Sequence, residues 1–72
     1  MSPLRPASRY VLDALQRGTA LEWVGRSYIL RWPDEQPEPI QPKVVDALIT
    51  RELVEQAPKT RFLVLTEKGR TA

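Results

Sequence analysis

Cysteine and histidine are both absent from these 72 residues. Without thiols there is no disulfide to staple the chain and no thiolate to act as nucleophile or ligand, and without imidazole the commonest zinc ligand and general base are gone as well. Glycine is scarce, at three residues, and none forms the glycine-rich loop that cradles a phosphate. No apolar run is long enough to span a bilayer, and Arg5, Arg9 and Asp13 interrupt the apolar core that a signal peptide needs. Ser2, Ser8 and Ser27 have no activating partner, while Asp34 and Glu35 stand in a proline-rich stretch as solvated loop acids do. The chain therefore reads as no enzyme, with no metal, no cofactor, no small-molecule substrate and no membrane partner, and a soluble, cytoplasmic setting is expected.

What remains is one domain, residues 1–72, close to the size at which folding buries only about 60% of the surface exposed by the unfolded chain. The net charge of +2 is unevenly placed. Five arginines against Asp13 and Glu22 give residues 1–32 a balance of +3, and Asp34, Glu35 and Glu38 give residues 33–39 a balance of -3. Residues 40–56 carry -1 and residues 57–72 carry +3. Such polarity steers an anionic partner toward the basic segments, although an ordinary soluble surface shows it too.

Residues 7–17 place Ala7, Val11, Ala14 and Leu15 at helical spacing, with Pro6 in the first turn and Gly18 as the terminating residue. Arg5 and Arg9 at the start of this helix are candidate phosphate contacts. Thr19 to Trp32 is rich in strand-forming residues. A type II′ turn at Gly25-Arg26 pairs Val24 with Ser27, Trp23 with Tyr28, Glu22 with Ile29 and Leu21 with Leu30. Leu21, Trp23, Tyr28, Leu30 and Trp32 then share one face, where both tryptophans are expected to pack into the core. Stacking of an exposed tryptophan on a nucleic-acid base is the less favoured alternative. Residues 33–42 hold four of the seven prolines, which disfavours both a helix interior and a paired strand, so this acidic stretch is expected to be a loop.

After Pro42, Val44, Val45, Leu48 and Ile49 mark a buried helical stripe that ends at Leu53, opposite Gln41, Lys43, Asp46, Ala47, Thr50 and Arg51. Leu53–Ala57 and Phe62–Leu65 read as two antiparallel strands around Pro58-Lys59-Thr60-Arg61, and Thr66 as the cap of a last turn containing Gly69. The fold class is α+β: helix, β-hairpin, acidic Pro-rich loop, helix and two-stranded wing, a small winged-helix-like domain. Its expected apolar skeleton is Val45, Leu48, Leu53, Phe62 and Leu65.

Leu48 to Glu55 followed by Phe62-Leu63-Val64-Leu65-Thr66-Glu67-Lys68-Gly69-Arg70 resembles the end of the winged helix-turn-helix domain of MarR- and PadR-type regulators. In that family a "L-x-x-x-G-L-V/I" helix exit leads to a wing closed by "L-T-x-x-G". Two positions depart from the pattern: Glu52 stands where the family has glycine, and the acidic loop takes the place of the first helix of the helix-turn-helix. The resemblance implies DNA as partner, with Gln41, Lys43, Ala47 and Thr50 as groove residues and Lys59, Thr60 and Arg61 as wing contacts. Arg51 joins them from the exposed helix face. Leu4 to Gly18 is in addition similar to the start of the short YjhX-type family of bacterial toxins, which implies a small bacterial or prophage-borne protein of the same architecture. Two functions are thus expected: a DNA-binding protein of the transcriptional-regulator or phage-accessory kind, acting as a homodimer or in a larger complex, or a protein-protein interaction module that keeps the fold without binding DNA.

Overall fold

The computed structural model describes residues 4–72, so Ser2 lies outside the described residues. The chain runs through helix α1 (Pro6–Gln16), strands β1 (Ala20–Val24), β2 (Ser27–Arg31) and β3 (Glu38–Ile40), helix α2 (Pro42–Thr50), strands β4 (Val54–Gln56) and β5 (Phe62–Leu65), and helix α3 (Glu67–Thr71). The strands form one antiparallel sheet in the order β3-β2-β1-β5-β4. Among the described residues no helix is long and apolar enough to cross a membrane.

Leu21, Leu30, Ile40, Val54 and Leu63 on one sheet face meet Val11, Leu12, Ala14 and Leu15 of α1 and Val45 and Leu48 of α2, and together they make the core. Polar ties fix the helices in place. The buried Ser8 hydroxyl donates to the Val44 carbonyl at 3.2 Å, and Gln16 Nε2 donates to the carbonyls of Gly69 and Ala72 at 2.9 and 3.0 Å. Glu38 Oε1 accepts from the Tyr10 hydroxyl at 2.6 Å and from Trp32 Nε1 at 3.1 Å, joining β3 to α1. The bond to Glu38 raises the Tyr10 phenol above its ordinary pKa.

The β1–β2 hairpin has the register that the sequence predicts, and Gly25 takes a positive φ of 62° in its turn. Elsewhere the structure corrects the sequence reading. The acidic stretch is no simple loop, because Glu38–Ile40 pairs with β2. Pro39 is tolerated because β3 is an edge strand, where a missing N–H is harmless if it points away from the neighbour. Phe62 is 40% exposed and outside the core, since pairing with Glu22 puts it on the solvent face and turns Leu63 inward. Trp23 is 43% exposed, because the inner face of the sheet is left open near the β1–β2 turn. Ile49 stays 41% exposed for the same reason.

Helix α2 also stops earlier than its apolar stripe suggests. Arg51 is the C-cap, and Glu52 N–H donates to Ile49 O while Leu53 N–H donates to Leu48 O, both at 2.9 Å. This is the paired bonding of a Schellman ending, which needs a left-handed residue after the cap. Glu52 supplies it at φ 60°, as Gly18 does for α1 at φ 95°. A side chain in that region costs roughly 1 kcal/mol, so Glu52→Gly is expected to stabilise the domain by about that amount. The measurement is a higher urea midpoint with an unchanged m value.

Thr66 closes the fold against the same corner. Its N–H donates to Leu53 O at 3.0 Å, its hydroxyl donates to Glu52 O, and its Oγ1 accepts from Gly69 N–H at 3.0 Å. Gly69 is buried with its Cα directed at the Leu53 carbonyl.

Candidate nucleic-acid interface

Sheet register decides which charges meet. β1 pairs with β5 through Glu22 and Phe62, and the ladder is extended by Trp23 N–H donating to Arg61 O. The two-residue turn Gly25-Arg26 and the turn Pro58-Lys59-Thr60-Arg61 therefore lie side by side at one end of the sheet. Arg26, Lys59 and Arg61 are all exposed there, and neither turn contains an acid.

The β4–β5 turn is held by its own polar groups. Thr60 N–H and Thr60 Oγ1 both reach Ala57 O, at 3.2 and 3.0 Å, Thr60 Oγ1 accepts from Phe62 N–H at 3.2 Å, and Gln56 Nε2 donates to Thr60 O at 3.3 Å. Lys59 occupies a left-handed position at φ 64°, following Pro58 as the third residue of a type II turn does. Thr60 thus spends its hydroxyl on turn geometry, and the two flanking cations project from a braced loop.

Helix α2 starts at the same end, because Ile40 pairs with Tyr28 one step from the β1–β2 turn. Pro42 in its first turn suits the fixed φ of a helix start. Gln41, Lys43, Asp46 and Thr50 are exposed along it, while Ala47 and Arg51 are half-buried. Ala47 lies with Gln41, Lys43 and Val44 around a cleft of about 420 Å³ shared with Arg5, Ala7 and Ser8 of the α1 start. Arg5 and Lys43 thereby flank one depression. Asp46 is the acid on this ridge, and its charge together with burial raises the Tyr28 phenol above its ordinary pKa, burial being the larger cause.

The acidic stretch goes elsewhere. β2 runs away from the turns, so residues 32–37 between Arg31 and Glu38 sit at the opposite end of the sheet. Of the residues singled out from the sequence, Gln41, Lys43, Lys59, Thr60 and Arg61 gather toward one end, Thr50 and Arg51 lie at the far end of α2, and Ala47 turns toward α1. Arg26 is a cation that sequence reasoning missed. The Gly-Arg turn was visible in the sequence, but its neighbour across β1 and β5 was not.

No protein-family model, no curated protein and no solved structure matches the chain.

Proposed function

We propose that the chain is a small DNA-binding domain of the winged-helix kind, a transcriptional regulator or phage-type accessory factor, with α2 facing the groove and the β4–β5 turn as its wing. One observation carries this reading: the sheet register collects Lys43, Arg26, Lys59 and Arg61 at one end and sends Asp34, Glu35 and Glu38 to the other. Topology supports it. The order β1-β5-β4, with α1 before β1 and α2 before β4, is compatible with a winged layout, with β2 and β3 as additional strands between β1 and α2. Four strand spacings from β3 to β4 span about 19 Å, against about 3.4 Å per phosphate along one DNA strand, so several phosphates are within reach.

The test is titration with mixed-sequence duplex DNA at low salt, followed residue by residue by NMR. Shifts are expected at Gln41, Lys43, Arg26 and residues 59–61, whereas shifts confined to α3 and residues 33–37 would sink the reading.

A second reading rests on the opposite sheet face. Val24, Phe62 and Val64 are each 40% exposed there, beside the Glu22–Arg31 ion pair, an apolar surface suited to a protein partner or a second copy of the chain. A monomeric sedimentation profile together with duplex binding would decide against it.

A further inference from the structure

Beyond the duplex reading, we infer that the cleft between α2 and the hairpin ends holds an unpaired nucleic-acid base, stacked on Trp23, while the adjoining phosphates cross Arg26, Lys59 and Arg61. The cleft has a volume of about 410 Å³ and is bordered by Trp23, Tyr28, Ile49, Gln56 and Leu63, with Glu55 at its β4 side. Two of the most exposed large apolar side chains of the domain, Trp23 and Ile49, both line it. Exposed indole and isoleucine in one depression reward a flat apolar occupant that displaces their water.

Charge selects the class of that occupant. The cations lie just beyond the cleft, on the two turns into which Trp23 and Gln56 lead, and Arg61 is tied to Trp23 by the bond from Trp23 N–H to its carbonyl. A stacking ring beside a cationic track is the arrangement by which proteins hold single strands, because every base offers a π face and every linkage an anion. Glu55 on β4 lines the cleft and Asp46 acts on Tyr28, so a phosphate backbone is favoured on the side of the turns, which hold cations and no acid. Intact duplex cannot use the site, since its bases are stacked inside. The requirement is a frayed end, a loop or a single strand, so this inference stands or falls separately from duplex binding.

A short oligothymidylate is the probe, with a duplex of equal length as comparison. In the intact chain, the Nε1–H signal of Trp23, assigned by its loss in Trp23→Phe, is expected to shift with the single strand and not with the duplex. Tyr28, Ile49 and Gln56 should shift with it. Trp23→Leu is expected to weaken single-strand binding about tenfold or more, while duplex binding changes by less than about twofold. Trp23→Phe keeps a ring and should retain most of the affinity, which separates stacking from a general loss of fold. Movement of Arg26, Lys59 and Arg61 signals alone with the Trp23 indole unmoved would overturn the inference. So would equal affinity of Trp23→Leu, or protection of Trp23 that rises with protein concentration when no oligonucleotide is present, which would mean that a second copy covers the cleft.

Discussion

Gly69→Ala is expected to leave the domain unfolded, or nearly so, at room temperature. A methyl group built on Gly69 overlaps the carbonyl oxygen of Leu53 and comes within 2.9 Å of its carbonyl carbon and 3.1 Å of Leu65 Cδ2. The first two are backbone atoms and cannot rotate away. Leu53 is also the residue whose N–H completes the α2 ending and whose carbonyl accepts from Thr66, so any retreat breaks two bonds made elsewhere. Overpacking in a tight core costs about 1–3 kcal/mol even where side chains can adjust, and more where they cannot. A single core of this size rarely supplies more than about 3–5 kcal/mol. Circular dichroism and urea unfolding give the readout. Gly18→Ala is the control, because an added methyl there meets nothing within 4 Å and only the positive φ of 95° is strained. Its expected cost is about 1 kcal/mol and a folded protein. A folded Gly69→Ala with a midpoint equal to that of Gly18→Ala would contradict the packing of the closing turn.

The second large effect concerns salt. Each phosphate neutralised on duplex DNA adds about 0.9 to the slope of log affinity against log salt. If Arg26, Lys59 and Arg61 each meet one phosphate, the triple alanine variant lowers that slope by about 2.7 and weakens binding at low salt by at least about a hundredfold. Arg26→Ala alone is the sharper probe, because the β1–β2 turn has no part in the wing resemblance and enters only through the pairing of β1 with β5. A drop of about 0.9 in slope is its expected signature. Lys68→Ala with Arg70→Ala, two cations on α3 at the other end of the sheet, should leave slope and affinity unchanged within about twofold. Loss that is equal in the two sets would mean net charge alone drives binding.

How far the sequence carries this architecture varies by element. The β1–β2 hairpin is legible to the residue, because Gly25 selects one turn and a slip of one position would scatter Leu21 and Leu30 between faces. The run Phe62-Leu63-Val64-Leu65 is not, since either parity offers apolar residues to the core and only pairing with Leu21 settles that Leu63 goes inward. Proline content hides β3, because a propensity argument treats all strands alike and this one is paired on one side only. The cations of the β4–β5 turn are legible as a pair, whereas Arg26 joins them through a contact distant in sequence. The ending of α2 shows the reverse case. A glutamate after the helix looks like a poor terminator in the sequence, yet Glu52 takes the left-handed conformation that the Schellman ending of α2 requires.

Pro39 bears on how the domain behaves when crowded. A five-stranded sheet has two open margins, and each is a template on which another chain could add strand after strand. On the β3 margin, Pro39 has no N–H to offer a newcomer, and on the β4 margin only the three residues Val54–Gln56 are extended, two of them polar. Both margins are thus poor templates for a further strand. Phe62, Val64 and Val24 stay open to water on the outer sheet face, so contact between copies of the domain is expected face to face rather than edge to edge.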